Sequence, residues 1–202
     1  MSSPRSGIRH YYVALRAMLV FTVILGVAYP LAITGFGQLA LPAQANGSTL
    51  SVADAPVGSS LIGQSFADVD GNPLPEWFQG RPSAAGNGYD AGASSGSNWG
   101  PENSDLVAAI KERKAQIAQF NHVDPADIPA DALTASASGL DPHISPEYAL
   151  LQVVRVAGER GLPEHVVRAL VEANIQGRDL GYLGEPTVNV LELNIALDGQ
   201  KG

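Results

Sequence analysis

Cysteine is absent from this sequence of 202 residues. Its absence excludes disulfide frameworks, thiolate zinc sites, iron–sulfur clusters and cysteine nucleophiles. Basic residues are scarce too, because 12 Lys and Arg face 20 Asp and Glu and give a net charge of −8. A nucleic-acid-binding protein needs a basic surface, so the acidic balance argues against that class.

Charged residues of either sign are missing from a long stretch near the N-terminus. Residues 17–53 carry no charge, and residues 17–36 are mostly apolar. About 20 residues of α-helix span the hydrocarbon core of a bilayer. We therefore predict a transmembrane helix over residues 13–36, bent by Pro30 near its far end. A cleaved signal peptide is the alternative, because residues 43–45 read Ala-Gln-Ala, although the apolar region is longer than signal peptides have.

The basic residues near this helix all lie on its N-terminal side. Arg5, Arg9 and Arg16 are the only ones before Arg81. The positive-inside rule then places the N-terminus in the cytoplasm and the rest of the chain outside. The pattern predicts a single-pass protein of the cell inner membrane, in contact with lipid, with an extracytoplasmic C-terminal domain.

Composition divides the chain into four predicted parts. They are a cytoplasmic N-terminus (1–12), the transmembrane helix (13–36), a tether (37–58) and a single extracytoplasmic domain (59–202). The sequence has 22 Gly and 14 Pro, so we expect an α+β domain with long Gly-, Ser- and Pro-rich loops. Residues 83–103 form the longest predicted loop, which is either a flexible linker or a backbone-rich contact surface.

Apolar spacing and capping residues predict three helices in this domain. They run from Ser104 to Asn121, from Ser145 to Gly158 or Arg160, and from Pro163 to Ile175. The expected core face of the second is Leu150, Leu151, Val154 and Ala157. Residues 60–66 are a candidate strand. A final strand is predicted from the alternation of Leu191, Leu193, Ile195 and Leu197 with more polar residues.

Motifs of catalytic sites are few. Residues 92–96 match the Gly-x-Ser-x-Gly pattern of serine hydrolases, in which a strand-to-helix turn exposes the nucleophile. No strand is predicted before Ser94, so we interpret this match as coincidental. Asp141 and His143 offer ligands for a metal site, but Asp141-Pro142 is also typical of a turn that leaves His143 beside the next helix. By themselves the residues indicate a membrane-anchored domain without recognisable catalytic groups.

Several motifs, in order along almost the whole chain, resemble the C subunit of the Kdp potassium-transporting ATPase. They include FQGRPS at 78–83, SSGSN at 94–98, LTASASGLDPHISP at 133–146, QVVRVA at 152–157 and LGEPTVNVL at 183–191. The resemblance implies an accessory, non-catalytic subunit of a bacterial high-affinity ATP-driven potassium uptake complex. Its partners would be a potassium-conducting subunit, a P-type ATPase subunit and a small membrane subunit.

The resemblance also implies a role for one residue. The family is described as a catalytic chaperone that raises the ATP affinity of the pump subunit, with Gln152 as the proposed nucleotide contact. The chain itself is expected to hold no cofactor or metal, since ATP and K⁺ are handled by the complex. Because ATP is cytoplasmic and the charge pattern places the domain outside, a hydrogen bond from Gln152 within the domain or to a partner is an open alternative. A free membrane-tethered binding module or enzyme is the competing function.

Overall fold

The computed structural model describes residues 4–200, so residues 1–3 of the predicted cytoplasmic N-terminus and 201–202 of the predicted domain lie outside the described residues. The helices are α1 (Pro4–Val23), α2 (Tyr29–Ala40), α3 (Pro42–Ala45), α4 (Ser104–Asn121), α5 (Ala130–Leu133), α6 (Pro146–Leu151), α7 (Val153–Arg160), α8 (Glu164–Ala173) and α9 (Val190–Asp198). The strands are β1 (Thr49–Val52), β2 (Ala55–Ser59), β3 (His143–Ile144), β4 (Ile175–Gln176) and β5 (Thr187–Asn189). The chain forms two compact units that meet at Thr49 and Leu50.

The first unit is an apolar helix long enough to cross a membrane. It extends over Ile8–Ala40, and 33 residues of helix measure about 50 Å. The predicted span 13–36 lies within it. A π-helical turn over Ile24–Ala28 ends two residues before Pro30, where the sequence predicts a bend. A proline cannot donate a backbone hydrogen bond, so a local change in the hydrogen-bond ladder is favoured there.

The second unit is the predicted α+β fold, built on two small sheets. β1 and β2 form a hairpin closed by Ala53 and Asp54, which both have positive φ, as tight hairpin turns require. The residues assigned to the tether, 37–58, therefore include most of this hairpin. The second sheet has the order β3-β5-β4, with Val188 of β5 opposite both Ile144 and Ile175.

Helices α6 to α9 enclose one hydrophobic core with this sheet. Its fully buried side chains include Phe78, Ile144, Val153, Val156, Val167, Val171, Val188, Leu193 and Leu197. Ser145 caps α6 through the Tyr148 amide, as the sequence predicts. The prediction for α4 is one residue off at its cap, because Asn103 rather than Ser104 accepts the first amide hydrogen bonds.

Three sequence predictions are wrong in this domain. The final strand is a helix, α9, because Val190, Leu193, Asn194 and Leu197 also repeat with helical spacing and Asn189 caps the first turn. Residues 60–66 form no strand beyond one isolated bridge between Ser59 and Ile62. Val154 is 60% exposed, since the helix is interrupted at Gln152 and the core face of α7 is formed by Val153, Val156 and Ala157.

Candidate functional site

A stretch without regular secondary structure, residues 75–83, receives many hydrogen bonds from distant side chains, and we call it the clamped segment. It contains Pro75, Pro82 and Gly80, and these residues disfavour a continuous helix or strand. Buried backbone polar groups must nevertheless be paired. In this segment side chains from distant helices provide the partners.

Two buried amide side chains hold consecutive residues of the clamped segment. Asn194 of α9 accepts a hydrogen bond from the Phe78 amide (3.0 Å) and donates one to the Phe78 carbonyl (3.0 Å). Gln152 does the same for Gln79, at 2.7 Å and 3.1 Å. Each amide group therefore pairs with the backbone as a neighbouring strand would.

Gln152 is completely buried, with 0% of its surface exposed. Its Oε1 also accepts a hydrogen bond from Arg155 Nη2 at 2.7 Å. The side chain thus joins the interruption between α6 and α7 to the clamped segment. The structure places the residue that the resemblance singles out inside the domain, where Oε1 accepts two hydrogen bonds and Nε2 donates one.

Arg155 extends the same network. Its guanidinium donates to the carbonyls of Pro75 and Trp77 and, through Nε, to Asn121 Oδ1 at 2.9 Å. The Phe120 ring lies 4.4 Å from its central carbon. Burial lowers the pKa of Arg155 to about 10, so the side chain stays protonated at neutral pH.

Arg160 binds the backbone carbonyl that lies between the two carbonyls bound by Arg155. Its Nε donates to the Glu76 carbonyl at 2.9 Å, and Nη1 lies 3.2 Å from Asp198 Oδ1. Its guanidinium stacks 4.1 Å from the Trp77 ring. The two arginines and two amides together hold five consecutive carbonyl groups, from Pro75 to Gln79.

The C-terminal end of the clamped segment is held by an ion pair. Arg81 Nη1 lies 3.0 Å from Asp141 Oδ2, and His143 Nδ1 lies 3.4 Å from Asp141 Oδ1. Burial acts to raise the pKa of Asp141, but hydrogen bonds from His143 and the charge of Arg81 outweigh it and lower the pKa. Tyr89 donates to the Arg81 carbonyl at 2.7 Å, and burial raises the pKa of Tyr89 to about 12.

The Gly- and Ser-rich loop 83–103 packs against residues 136–139. The Ser95 amide and the Ser94 hydroxyl both donate to the Ser138 carbonyl, at 3.0 Å and 2.9 Å. Gly139 has φ +68°, and a Cβ there would lie 2.7 Å from the Ala85 amide nitrogen. In this part of the loop the contacts favour the backbone-rich contact surface over the flexible linker.

The other candidate residues form no cluster. Ser94 follows a short 3₁₀ turn, Ala91–Ala93, rather than the strand of a nucleophile elbow. His122 ends α4 in a left-handed conformation, and His165 lies on α8. Within residues 4–200 there is no group of three His, Asp or Glu placed to hold a metal ion.

Sequence reasoning missed Arg155, Arg160 and Asn194. A signal for Asn194 was available, because on a helix it lies on the same face as the buried Val190 and Leu197. Arg155 likewise falls three residues after Gln152, where helical side chains are neighbours. The hydrogen bonds of both residues to the clamped segment span 78 to 116 residues of sequence, which local patterns do not reveal.

An exposed apolar turn lies between β4 and β5. Asp179 and Leu183 exchange backbone hydrogen bonds of 2.9 Å, and Arg178 pairs with Glu185 beside them. Leu180 and Tyr182 at the tip are 81% and 69% exposed. We call residues 179–183 the apolar turn. Its closed geometry presents large apolar side chains to the surroundings instead of to the core.

These features define a class: an α+β domain joined to a helix of membrane-spanning length, with buried polar side chains that hold its own loops. The family model described as K⁺-transporting ATPase, c chain, matches residues 11–199. The chain therefore belongs to this family of potassium-transporting ATPase subunits.

Individual relatives agree with the family match. The potassium-transporting ATPase KdpC subunit of Kineococcus radiotolerans is 54% identical over 190 residues, which cover 94% of this chain and 93% of the relative. That of Caulobacter vibrioides is 55% identical over 192 residues, 95% and 93% of the two chains. That of Methylococcus capsulatus is 51% identical over 192 residues, 95% and 98%. The similarity thus includes both the apolar helix and the domain.

Proposed function

We propose that this chain is an accessory, non-catalytic subunit of a bacterial potassium-transporting ATPase and that it stabilises the assembled complex. The observation that best supports this is the clamped segment. Gln152 and Asn194 direct their amides to backbone groups of the same chain, and Arg155 and Arg160 do the same with their guanidinium groups. Reactive sites direct polar groups to a substrate, whereas the hydrogen bonds of this network shape a surface of the domain.

The proposed orientation places the domain outside the cytoplasm. Arg5, Arg9 and Arg16 lie at the N-terminal end of the apolar helix, and positive charge favours the cytoplasmic side. In this arrangement the apolar helix packs in the membrane beside the potassium-conducting subunit. The P-type ATPase subunit, which hydrolyses ATP, and the small membrane subunit complete the complex.

Cysteine labelling tests the orientation cleanly, because the chain has no native cysteine. Val69, whose side chain is fully exposed, is changed to cysteine, and Ala149→Cys serves as the buried control. A membrane-impermeant maleimide should label Val69→Cys in intact cells whose outer envelope is permeable, and leave Ala149→Cys unlabelled. Labelling of Val69→Cys only after the inner membrane is broken would contradict the proposal.

The apolar turn is the proposed contact with a partner subunit of the complex. Exposed apolar groups gathered on a closed turn are typical of protein interfaces. Tyr182→Ser should reduce the amount of this chain that copurifies with the other subunits, while Val69→Ser, a change at an exposed apolar residue elsewhere, should not. Equal copurification of both variants would exclude the turn from the interface.

An effect on ATP affinity, if present, is proposed to be indirect. The Gln152 side chain would have to leave three hydrogen bonds and a fully buried position to touch a nucleotide. Its proposed role is to position the clamped segment, whose surface then supports assembly.

A further inference from the structure

A cavity of about 360 Å³ lies between the clamped segment, α4 and α6. The eleven described residues that line it include Arg81 and Arg113 but no Asp or Glu. This is unexpected in a chain that has nine basic and 20 acidic side chains after residue 16. The cavity is therefore a local basic site on an acidic protein.

The two arginines reach the cavity from different elements but are anchored side by side. Arg113 Nη1 donates to the Leu133 carbonyl at 2.9 Å, and Arg81 Nη2 donates to the adjacent Thr134 carbonyl at 3.4 Å. Arg81 is partly neutralised by Asp141. Arg113 has no carboxylate within ion-pair distance among residues 4–200, so its charge is uncompensated.

A further donor faces the cavity. Tyr148 lines the cavity, and its hydroxyl makes no hydrogen bond to another residue within residues 4–200. A hydroxyl without a protein partner is able to donate to a ligand or to water.

We propose that this cavity binds a phosphate group. A tetrahedral oxyanion presents several acceptor oxygens, which suits donors on three separate walls, namely the guanidinium groups of Arg81 and Arg113 and the hydroxyl of Tyr148. Arginine is well matched to phosphate because its planar fork donates two parallel hydrogen bonds. Free inorganic phosphate and a phospholipid headgroup both supply this chemistry. The proposal does not depend on the assembly role.

The test is a ³¹P NMR titration of the full chain in a neutral detergent and phosphate-free buffer. One arm uses inorganic phosphate and the other uses dihexanoyl phosphatidylglycerol. Saturable binding of either probe supports the site, and the probe that binds more tightly identifies the source. If neither probe shows saturable binding up to about 20 mM, where even a weak charge-assisted site would be filled, the proposal is overturned.

Variants locate the binding. Arg113→Gln should weaken binding about tenfold or more, because it removes the uncompensated charge. Tyr148→Phe keeps the packing of the buried ring and should weaken binding about threefold. Lys114→Gln makes the same charge change on the neighbouring residue of α4 and should have less than about a twofold effect. If Lys114→Gln weakens binding as much as Arg113→Gln does, diffuse charge explains the binding and the site is refuted.

Discussion

Replacing Gln152 by alanine should destabilise the domain strongly without changing how the pump senses ATP. The substitution removes three hydrogen bonds and leaves the Gln79 amide, the Gln79 carbonyl and one N–H of Arg155 without partners. Each unsatisfied buried group costs about 1–3 kcal/mol. Water entering the space recovers part of this loss, so we expect a decrease of about 3–5 kcal/mol in the free energy of unfolding.

Urea unfolding of the full chain in detergent measures this decrease through tryptophan fluorescence. Trp77 lies in the clamped segment and should report its release directly. Gln152→Met separates the loss of the hydrogen bonds from the loss of side-chain volume. Methionine nearly fills the space of glutamine but forms no hydrogen bond to Gln79. Gln119→Ala, an exposed glutamine on α4, is the matched control and should change stability by less than about 0.5 kcal/mol. A loss below about 1 kcal/mol for Gln152→Ala would refute the structural argument.

The second measurement is ATPase activity against ATP concentration in purified complexes matched for subunit content. With Gln152→Ala the ATP requirement should stay within about threefold of that of the native complex, or under roughly 1 kcal/mol. Weaker assembly or a lower maximal rate is the expected defect. A tenfold rise in the ATP requirement with assembly intact would instead support direct contact between Gln152 and the nucleotide, or tight long-range coupling from Gln152 to the pump subunit.

Three other substitutions test neighbouring parts of the site. Asn194→Ala removes both hydrogen bonds to Phe78 and should cost about 2–4 kcal/mol in urea unfolding; no loss would show that water replaces the amide. Gly139→Ala places a Cβ at a residue with positive φ and against backbone atoms, so the free energy of unfolding should fall by more than about 2 kcal/mol. Gly158→Ala, on the open surface of a helix, should raise the free energy of unfolding by about 0.5–1 kcal/mol. The pKa of Asp141 is lowered in the folded state, so its ion pair stabilises above about pH 4 and that stabilisation is lost as the pH falls through the lower folded value. Asp141→Asn should therefore be less stable by about 1 kcal/mol at neutral pH. The difference in unfolding free energy should shrink as the pH falls through the lowered pKa of Asp141, and a constant difference from neutral to acidic pH would exclude the ion pair as the cause.

The helices were predictable where one apolar periodicity dominated. The N-terminal apolar helix, α4 and α8 follow from spacing and capping alone. Residues 190–198 satisfied two periods at once, since leucines at 191, 193 and 197 alternate while Val190, Asn194 and Leu197 repeat helically. The helix prevails because it buries a wider face against α8 and the core than a short edge strand would.

The candidate site was less predictable than the fold. The resemblance identified Gln152, but its partner Gln79 is 73 residues away, and Asn194 is 116 residues from Phe78. Such pairs depend on tertiary packing, and neither hydrophobic periodicity nor a sequence motif encodes them. The FQGRPS stretch could be seen as a motif, but the reason that its backbone needs distant side chains is visible only in three dimensions.

The large sequence separation between the clamped segment and Asn194 has a consequence for the newly made chain. Phe78 leaves the ribosome 116 residues before Asn194, and at about 5–20 residues per second this interval lasts roughly 6–23 s. During that time Phe78 lacks the Asn194 side chain that will pair with its backbone, and contacts of such high sequence separation form late. The nascent protein therefore carries an aromatic, aggregation-prone stretch until its last helix is synthesised, and a chain that ends before Asn194 should remain a substrate for chaperones and proteases.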